Sequence, residues 1–120
     1  MKYKNICAAI HNLGHSFVGL TNYIDDGYVI DDLWGIVSGG HDITIDWLNR
    51  TFTPADQITP RIQKSIDFYA DGLSDHLRSQ DVDPTCIKAL EFHWPARGRR
   101  YMRAVDDRGK EHKIYVAETK

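Results

Sequence analysis

The residues best suited to chemistry are two acidic pairs, Asp25-Asp26 and Asp31-Asp32, which could bind a metal ion or act in acid–base catalysis. Asp26 is followed by Gly27, and β-branched and aromatic residues flank this step. Residues 17–36 are therefore predicted to form a β-hairpin with a two-residue turn. In that hairpin, Asp25 and Asp32 share a face but lie about 13 Å apart, too far for direct binding of one cation. We predict that the acidic pairs are not metal ligands.

The same strand pairing sorts the other side chains of the predicted hairpin by face. One face is aliphatic and is expected to meet the helices, whereas the other is aromatic and amphipathic, which is unusual for a sheet face in water. Three explanations stay open: more of the chain covers this face, a second subunit covers it, or it lines a ligand cleft. The residues of this face that are predicted to bind a ligand or partner are Phe17, Thr21, Tyr23, Tyr28, Asp32 and Trp34.

A basic run, PARGRRYMR, is the second group of residues with a recognisable chemistry. Clustered arginines can hold phosphate, and arginines beside an aromatic residue can stack single-stranded bases. The chain shows no sequence signature of an RRM or KH domain, and a short basic hairpin commonly serves as an edge that discourages strand addition. Nucleic-acid binding is therefore an alternative interpretation only, and its residues would be Arg97, Arg99, Arg100, Tyr101 and Arg103.

Histidine and cysteine form no recognisable metal or redox motif. His11 and His15 have the i, i+4 spacing of a helical metal site, but Gly14 is predicted to end the helix before His15. Cys7 and Cys86 lie far apart in sequence and belong to no Cys-x-x-Cys motif, so both are predicted to be buried thiols. We predict no metal ion and no cofactor.

Asp106, Glu111 and Lys113 have the acidic, acidic and lysine order of metal-dependent nucleases. Asp106, however, is predicted beside a tight turn, where a short hairpin leaves little room for a cleft. The chain also has no G-x-S-x-G sequence and no P-loop lysine. We therefore predict that the chain has no catalytic residue.

Length and composition place these residues in one globular domain, residues 1–120, with 42% hydrophobic and 27% charged residues. The formal net charge of -2 gives no overall attraction to nucleic acid or to an anionic membrane. The apolar run from Ile6 to Ile10 is too short for a signal sequence or a membrane span. We predict a cytoplasmic protein with no membrane association.

Two segments have the period of an amphipathic helix. A short N-terminal helix is predicted because Ile6, Ala9, Ile10 and Leu13 share one helical face. A long central helix is predicted to begin after an N-cap at Thr59 and to end near Gln80. Its apolar stripe consists of Ile62, Ile66, Tyr69, Leu73 and Leu77.

The last third of the chain is predicted to form strands. The alternation of residues 89–94 indicates a strand that Pro95 ends, and the segment Ile43 to Leu48 fits either a strand or the start of a helix. A second hairpin is expected, with Gly109 in the left-handed conformation at its turn. Its predicted pairs are Met102–Ile114 and Ala104–His112 on one side, and Tyr101–Tyr115, Arg103–Lys113 and Val105–Glu111 on the other.

These elements predict an α+β fold: an antiparallel sheet of about five or six strands, with a long central helix and a short N-terminal helix packed on one face. The function predicted first is a non-enzymatic binding or interaction module that forms a homodimer and contacts a partner or ligand through the aromatic sheet face. Two alternatives remain: a small enzyme or pocket protein acting on a small polar ligand, and single-stranded nucleic-acid binding through the basic run.

Overall fold

A computed structural model of the chain describes residues 6–14 and 28–115. Within them lie three helices, which we number α1 (6–14), α2 (Tyr28–Ser38) and α3 (Pro60–Ser79), and two short 3-10 turns, Ala55–Gln57 and Pro84–Cys86. The strands are β1 (Ile43–Asp46), β2 (Thr51–Thr53), β3 (Ile87–Trp94), β4 (Tyr101–Asp106) and β5 (Glu111–Tyr115).

The strands form one antiparallel sheet in the order β2-β1-β3-β4-β5. Its central strand, β3, pairs with β1 from the first half of the chain and with β4 from the second half. The predicted α+β fold is confirmed, and the open question about residues 43–48 is answered, because Ile43–Asp46 is a strand. No helix in the described part of the chain is long and apolar enough to cross a membrane.

The central helix α3 begins and ends where the sequence predicted. The hydroxyl oxygen of Thr59 accepts a hydrogen bond from the backbone N–H of Ile62 at 3.2 Å, so it satisfies one of the free donors of the first turn. After Ser79 the chain reverses through Asp81, whose φ of 61° lies in the left-handed region. All members of the predicted apolar stripe are buried except Tyr69, which is partly buried against the core.

The prediction of a second strand in the N-terminal hairpin is wrong, because residues 28–38 form helix α2. Val29, Leu33, Ile36 and Val37 recur at helical spacing, and all four are buried. A strand would have turned Ile36 to the face opposite the other three, whereas a helix buries the whole set on one side. This gain in burial outweighs the β preference of the valine and isoleucine residues. The remainder of that hairpin, residues 17–27, lies outside the described residues.

A single hydrophobic core joins the three helices to the inner face of the sheet. The sheet contributes Ile43, Ile45, Phe52, Leu90, Phe92, Trp94, Met102 and Ala104, all buried. Helix α1 contributes the four residues of its predicted face, Ile6, Ala9, Ile10 and Leu13.

The cysteines differ in burial. Cys86 is buried, but Cys7 lies off the buried stripe of α1 and is exposed, so the prediction of two buried thiols is wrong for Cys7. Both are free thiols.

Candidate interaction surface

Alternate side chains of the sheet point away from the core and form a surface that we call the open face. The strand register arranges it in rows, since paired residues of neighbouring strands share a face. None of these residues is buried. One row contains Thr53, Thr44, His93, Tyr101 and Tyr115, and the next contains Thr51, Asp46, Glu91, Arg103 and Lys113.

The rings of the first row of the open face are in contact with one another and with two neighbouring cations. His93 stacks on Tyr101 with ring centroids 4.8 Å apart and planes inclined by 15°. The ammonium nitrogen of Lys113 lies 4.2 Å from the centroid of Tyr101 and 5.3 Å from that of Tyr115. The guanidinium carbon of Arg99 lies 4.9 Å from the Tyr115 centroid. We call these five residues the aromatic–cation stack, and its contacts are of the favourable cation–π kind.

Tyr101 is enclosed within this stack. Its strand, β4, runs between β3, which carries His93, and β5, which carries Lys113. The phenol ring therefore contacts an imidazole from the neighbouring strand on one side and an ammonium group from the neighbouring strand on the other. These contacts compete with the stacking of another aromatic group on this ring.

A chain of polar contacts runs beside the stack. Glu91 accepts a hydrogen bond from Nε2 of His93 at 2.8 Å, because a carboxylate can only accept. On the far side of the ring, Nδ1 lies within hydrogen-bond distance of the hydroxyl of Thr44, at 3.1 Å. Arg103 donates to Glu91 at 3.1 Å and to Glu111 at 2.5 Å, so it bridges two carboxylates.

These contacts keep the bridge charged. The hydrogen bond from Arg103 lowers the pKa of Glu111 below its usual value, and the hydrogen bond to Glu111, aided by Glu91, raises the pKa of Arg103 further above neutrality. Arg103 is thus matched by carboxylates, whereas Arg99 and Lys113 contact rings and form no ion pair among the described residues.

Charge is divided unevenly over the open face. The half made by β1 and β3 carries Asp46 and Glu91. The half made by β4, β5 and the loop before β4 carries the cations Arg99, Arg103 and Lys113 against the single carboxylate of Glu111. One half is therefore acidic and the other is basic.

Two of the residues predicted from the N-terminal hairpin, Trp34 and Asp32, lie on α2 and not on the open face. Trp34 lies on α2, where its half-exposed ring (51%) meets Trp94 edge-on at a centroid distance of 4.8 Å. Asp32, also on α2, accepts from the hydroxyl of Thr59 at 3.0 Å and from both Nε and Nη2 of Arg61. The other predicted residues, Phe17, Thr21 and Tyr23, lie outside the described residues, as does the side chain of Tyr28.

The basic run is split by the strand that it contains. Tyr101 and Arg103 lie on the open face, with Arg99 beside it. Arg100 instead turns to the core side, where it is buried and its guanidinium lies 4.8 Å from the ring centroid of Trp94. Arg97 is exposed in the loop between β3 and β4.

Sequence reasoning missed the other members of the surface, although part of the signal was present. The predicted pairing of β4 with β5 is confirmed at every pair, and it already placed Lys113 and Tyr115 beside Arg103 and Tyr101. His93 and Glu91 could not be added, because no local pattern shows that β3 is the other neighbour of β4.

Asp106 has a structural role in the last hairpin. Its carboxylate, which is buried, accepts hydrogen bonds from the backbone N–H groups of Arg108 (2.9 Å) and Lys110 (3.0 Å) and from Nε2 of His112 (2.9 Å). The His112 contact, followed by these backbone bonds, lowers the pKa of Asp106 below its usual value. The carboxylate thereby closes the turn in which Gly109 adopts a φ of 80°.

The nuclease-like order of acidic residues does not become a site. Asp106 faces the core side of the sheet, whereas Glu111 and Lys113 face the open side. No cluster of three or more histidine, cysteine, aspartate or glutamate residues in the described ranges has the arrangement of a metal site.

Comparison of the chain with protein-family models, with curated proteins and with solved structures gives no significant match.

Proposed function

We propose that the protein is a non-enzymatic interaction module that forms a homodimer by packing its open face against the open face of a second copy. The observation that supports this proposal most directly is the division of that face into an acidic half and a basic half. Tyrosine, histidine and arginine are also residue types common in protein interfaces.

Symmetry makes such a face complementary to itself. In a two-fold dimer, the same patch is used on both copies. A two-fold axis running along the central strand β3 would place β1 of each copy opposite β4 of the other, and β2 opposite β5. The acidic half, with Asp46, would then meet the partner's basic half, with Arg103 and Lys113. Two sheets can stack in this way about 10 Å apart, with their strands crossing at about 30°.

The size of the face sets the expected affinity. Four inter-strand spacings of about 4.8 Å give a width of about 19 Å between the outer strands. A surface of this width falls at the small end of specific interfaces, so we expect a dissociation constant of about micromolar order. We also propose a cytoplasmic location, which the free thiols of Cys7 and Cys86 support because a reducing compartment preserves them.

The test exchanges charges between the two halves. Asp46→Lys places a lysine opposite the partner's Arg103 and beside the partner's Lys113, whereas Lys113→Glu places a glutamate beside the partner's Asp46. Each variant alone should therefore be monomeric in sedimentation velocity at concentrations where the wild type is dimeric. A mixture of the two variants restores attraction at both symmetry-related contacts and should form a heterodimer. Because a misfolded variant could not be rescued by mixing, the heterodimer also shows that each variant is folded.

The matched control is Lys64→Glu, which makes the same charge change at an exposed position on α3. It should leave the dimer intact. A wild type that stays monomeric up to about millimolar concentration would refute the proposal, and so would a dimer that neither open-face variant weakens.

A further inference from the structure

We propose that the basic half of the open face binds the phosphodiester backbone of single-stranded nucleic acid through Arg99, Lys113 and Arg97. This goes beyond self-association and does not depend on it. It also changes the residues that the sequence suggested, because Arg100, Tyr101 and Arg103 leave the set and Lys113 enters it.

Two arginines of the basic run are already engaged in contacts within the protein. Arg103 donates to Glu91 and Glu111, and its charge is matched by theirs. Arg100 is buried over Trp94. By contrast, the side chains of Arg99 and Lys113 are exposed and lie over aromatic rings, and among the described residues neither forms an ion pair, although Lys113 acts on Glu111 at longer range. Within the described ranges, positive charge that no carboxylate contacts directly therefore remains at this end of the sheet.

The two exposed cationic groups lie close together. Arg99 and Lys113 contact the same ring, with the guanidinium carbon 4.9 Å and the ammonium nitrogen 5.3 Å from the Tyr115 centroid. The two cationic groups can be no farther apart than the sum of these distances. This is close enough for two successive phosphates of a strand to contact one cation each. Exposed Arg97 lies in the same loop as Arg99 and can extend the contact by one phosphate.

The side chains of Arg99 and Lys113 are partly ordered before any ligand binds. A long cationic side chain loses rotamer freedom when it binds an anion. The ring of Tyr115 already holds both side chains in place, so part of this loss has occurred before binding. Cation–π contacts leave the N–H donors at the edge of each cation able to reach an oxyanion.

The aromatic rings of the open face are poorly available for base stacking. Proteins that bind single strands commonly stack bases on aromatic rings. In this protein, the ring of Tyr101 already contacts His93 and Lys113, and the more exposed ring of Tyr115 already contacts Arg99 and Lys113. Binding is therefore directed at backbone charge, and little discrimination between bases is expected. Separated, exposed cations suit a linear polyanion better than one small phosphate, which would contact only two hydrated charges.

Salt dependence tests the proposal quantitatively. Each phosphate contact with single-stranded nucleic acid contributes about -0.7 to the slope of log K against log salt, so two or three contacts give a slope of about -1.4 to -2. Binding of a fluorescent oligothymidylate is measured by anisotropy, at protein concentrations where the chain is monomeric. A failure of the homodimer proposal therefore leaves this measurement unaffected.

Arg99→Gln and Lys113→Gln should each reduce the slope by about 0.7 and weaken binding about eightfold at 50 mM salt, because one phosphate contact is lost. Lys64→Gln, at an exposed position on α3, should change neither the slope nor the affinity. Oligonucleotides of different base composition should bind within about twofold of one another, since no base is stacked.

Three results would overturn the proposal. They are the absence of binding at low salt, binding that is insensitive to Arg99→Gln and Lys113→Gln, and binding of pyrophosphate at this site without binding of the oligonucleotide. A strong preference for one base would contradict the argument from the enclosed Tyr101 ring and would equally exclude a purely backbone contact.

Discussion

The hydroxyl of Thr59 joins two helices, and its removal gives a sharp test of how they are held. It accepts from the backbone N–H of Ile62 at the start of α3 and donates to Oδ2 of Asp32 on α2 at 3.0 Å. Arg61 donates to both carboxylate oxygens of Asp32, at 3.1 and 2.8 Å. We predict that Thr59→Val, which keeps the shape of the side chain and removes the hydroxyl, destabilises the protein.

The expected magnitude combines the two contacts of this hydroxyl. Loss of an N-cap costs about 1 kcal/mol. A hydrogen bond to a charged group contributes about 1.5–3 kcal/mol, but Asp32 keeps both bonds from Arg61 and its side chain is 16% exposed, so we take the value of an ordinary hydrogen bond, about 1 kcal/mol. We therefore expect a decrease of about 2 kcal/mol in the free energy of unfolding. At roughly 4 °C per kcal/mol, the melting temperature should fall by about 8 °C.

Urea unfolding followed by circular dichroism measures this change. Thr59→Ser is the matched control, because serine is an equally good N-cap and keeps the hydroxyl, so it should stay within about 0.5 kcal/mol of the wild type. A double-mutant cycle with Asp32→Ala isolates the contact between the helices, and its coupling energy should be about 1 kcal/mol. If Thr59→Val is as stable as the wild type, or if Thr59→Ser is equally damaging, the hydroxyl does not have this role.

Two further predictions concern other contacts. The pKa of Asp106 is lowered in the folded protein, so its carboxylate contributes stability above its unfolded pKa and loses that contribution as the pH falls through its folded pKa. The difference in unfolding free energy between wild type and Asp106→Asn should therefore shrink on acidification, and urea unfolding across the acidic range would show a constant difference if this reasoning is wrong. Trp34→Ala removes an exposed ring and its edge-on contact with Trp94, so it should lower the unfolding free energy by about 1 kcal/mol. The same variant should leave self-association unchanged, whereas dissociation of the dimer in sedimentation velocity would restore Trp34 as an anchor.

The parts of the fold that the sequence predicted are those in which local chemistry decides the structure. The start of α3 depends on Thr59 and Pro60, which are adjacent, and the last hairpin depends on a turn around Gly109 that sets every pair from Tyr101 to Tyr115. In both cases, the residues that determine the element lie within it. Pairing and capping can therefore be read without knowledge of the rest of the chain.

Helix α2 shows where this reasoning fails. Residues 28–38 contain β-branched and aromatic residues after an Asp-Gly step, which favours a strand. Their apolar positions also fit a helix, and only the core that α2 meets decides between the two periods. The spacing of Val29, Leu33, Ile36 and Val37 was the available signal, since no strand could bury all four on one side.

The open face required information that no segment contains alone. Its central residues come from β3, and the pairing of β3 with β1 joins residues 43–46 to residues 91–94, on the two sides of α3. The amphipathic side of the last hairpin could be predicted from its register. Its extension through His93 and Glu91 depends on that long-range pairing.

The three indole rings of the protein differ in their access to water, and this gives the molecule an internal optical reporter. Trp47 and Trp94 are 0% and 4% exposed, whereas Trp34 is 51% exposed. An aqueous quencher of fluorescence therefore reaches one emitter selectively in the native state and all three after unfolding. The ring of Trp34 contacts that of Trp94, and the guanidinium group of Arg100 also lies over Trp94. A rearrangement at this end of α2 will therefore change the tryptophan fluorescence without an added label.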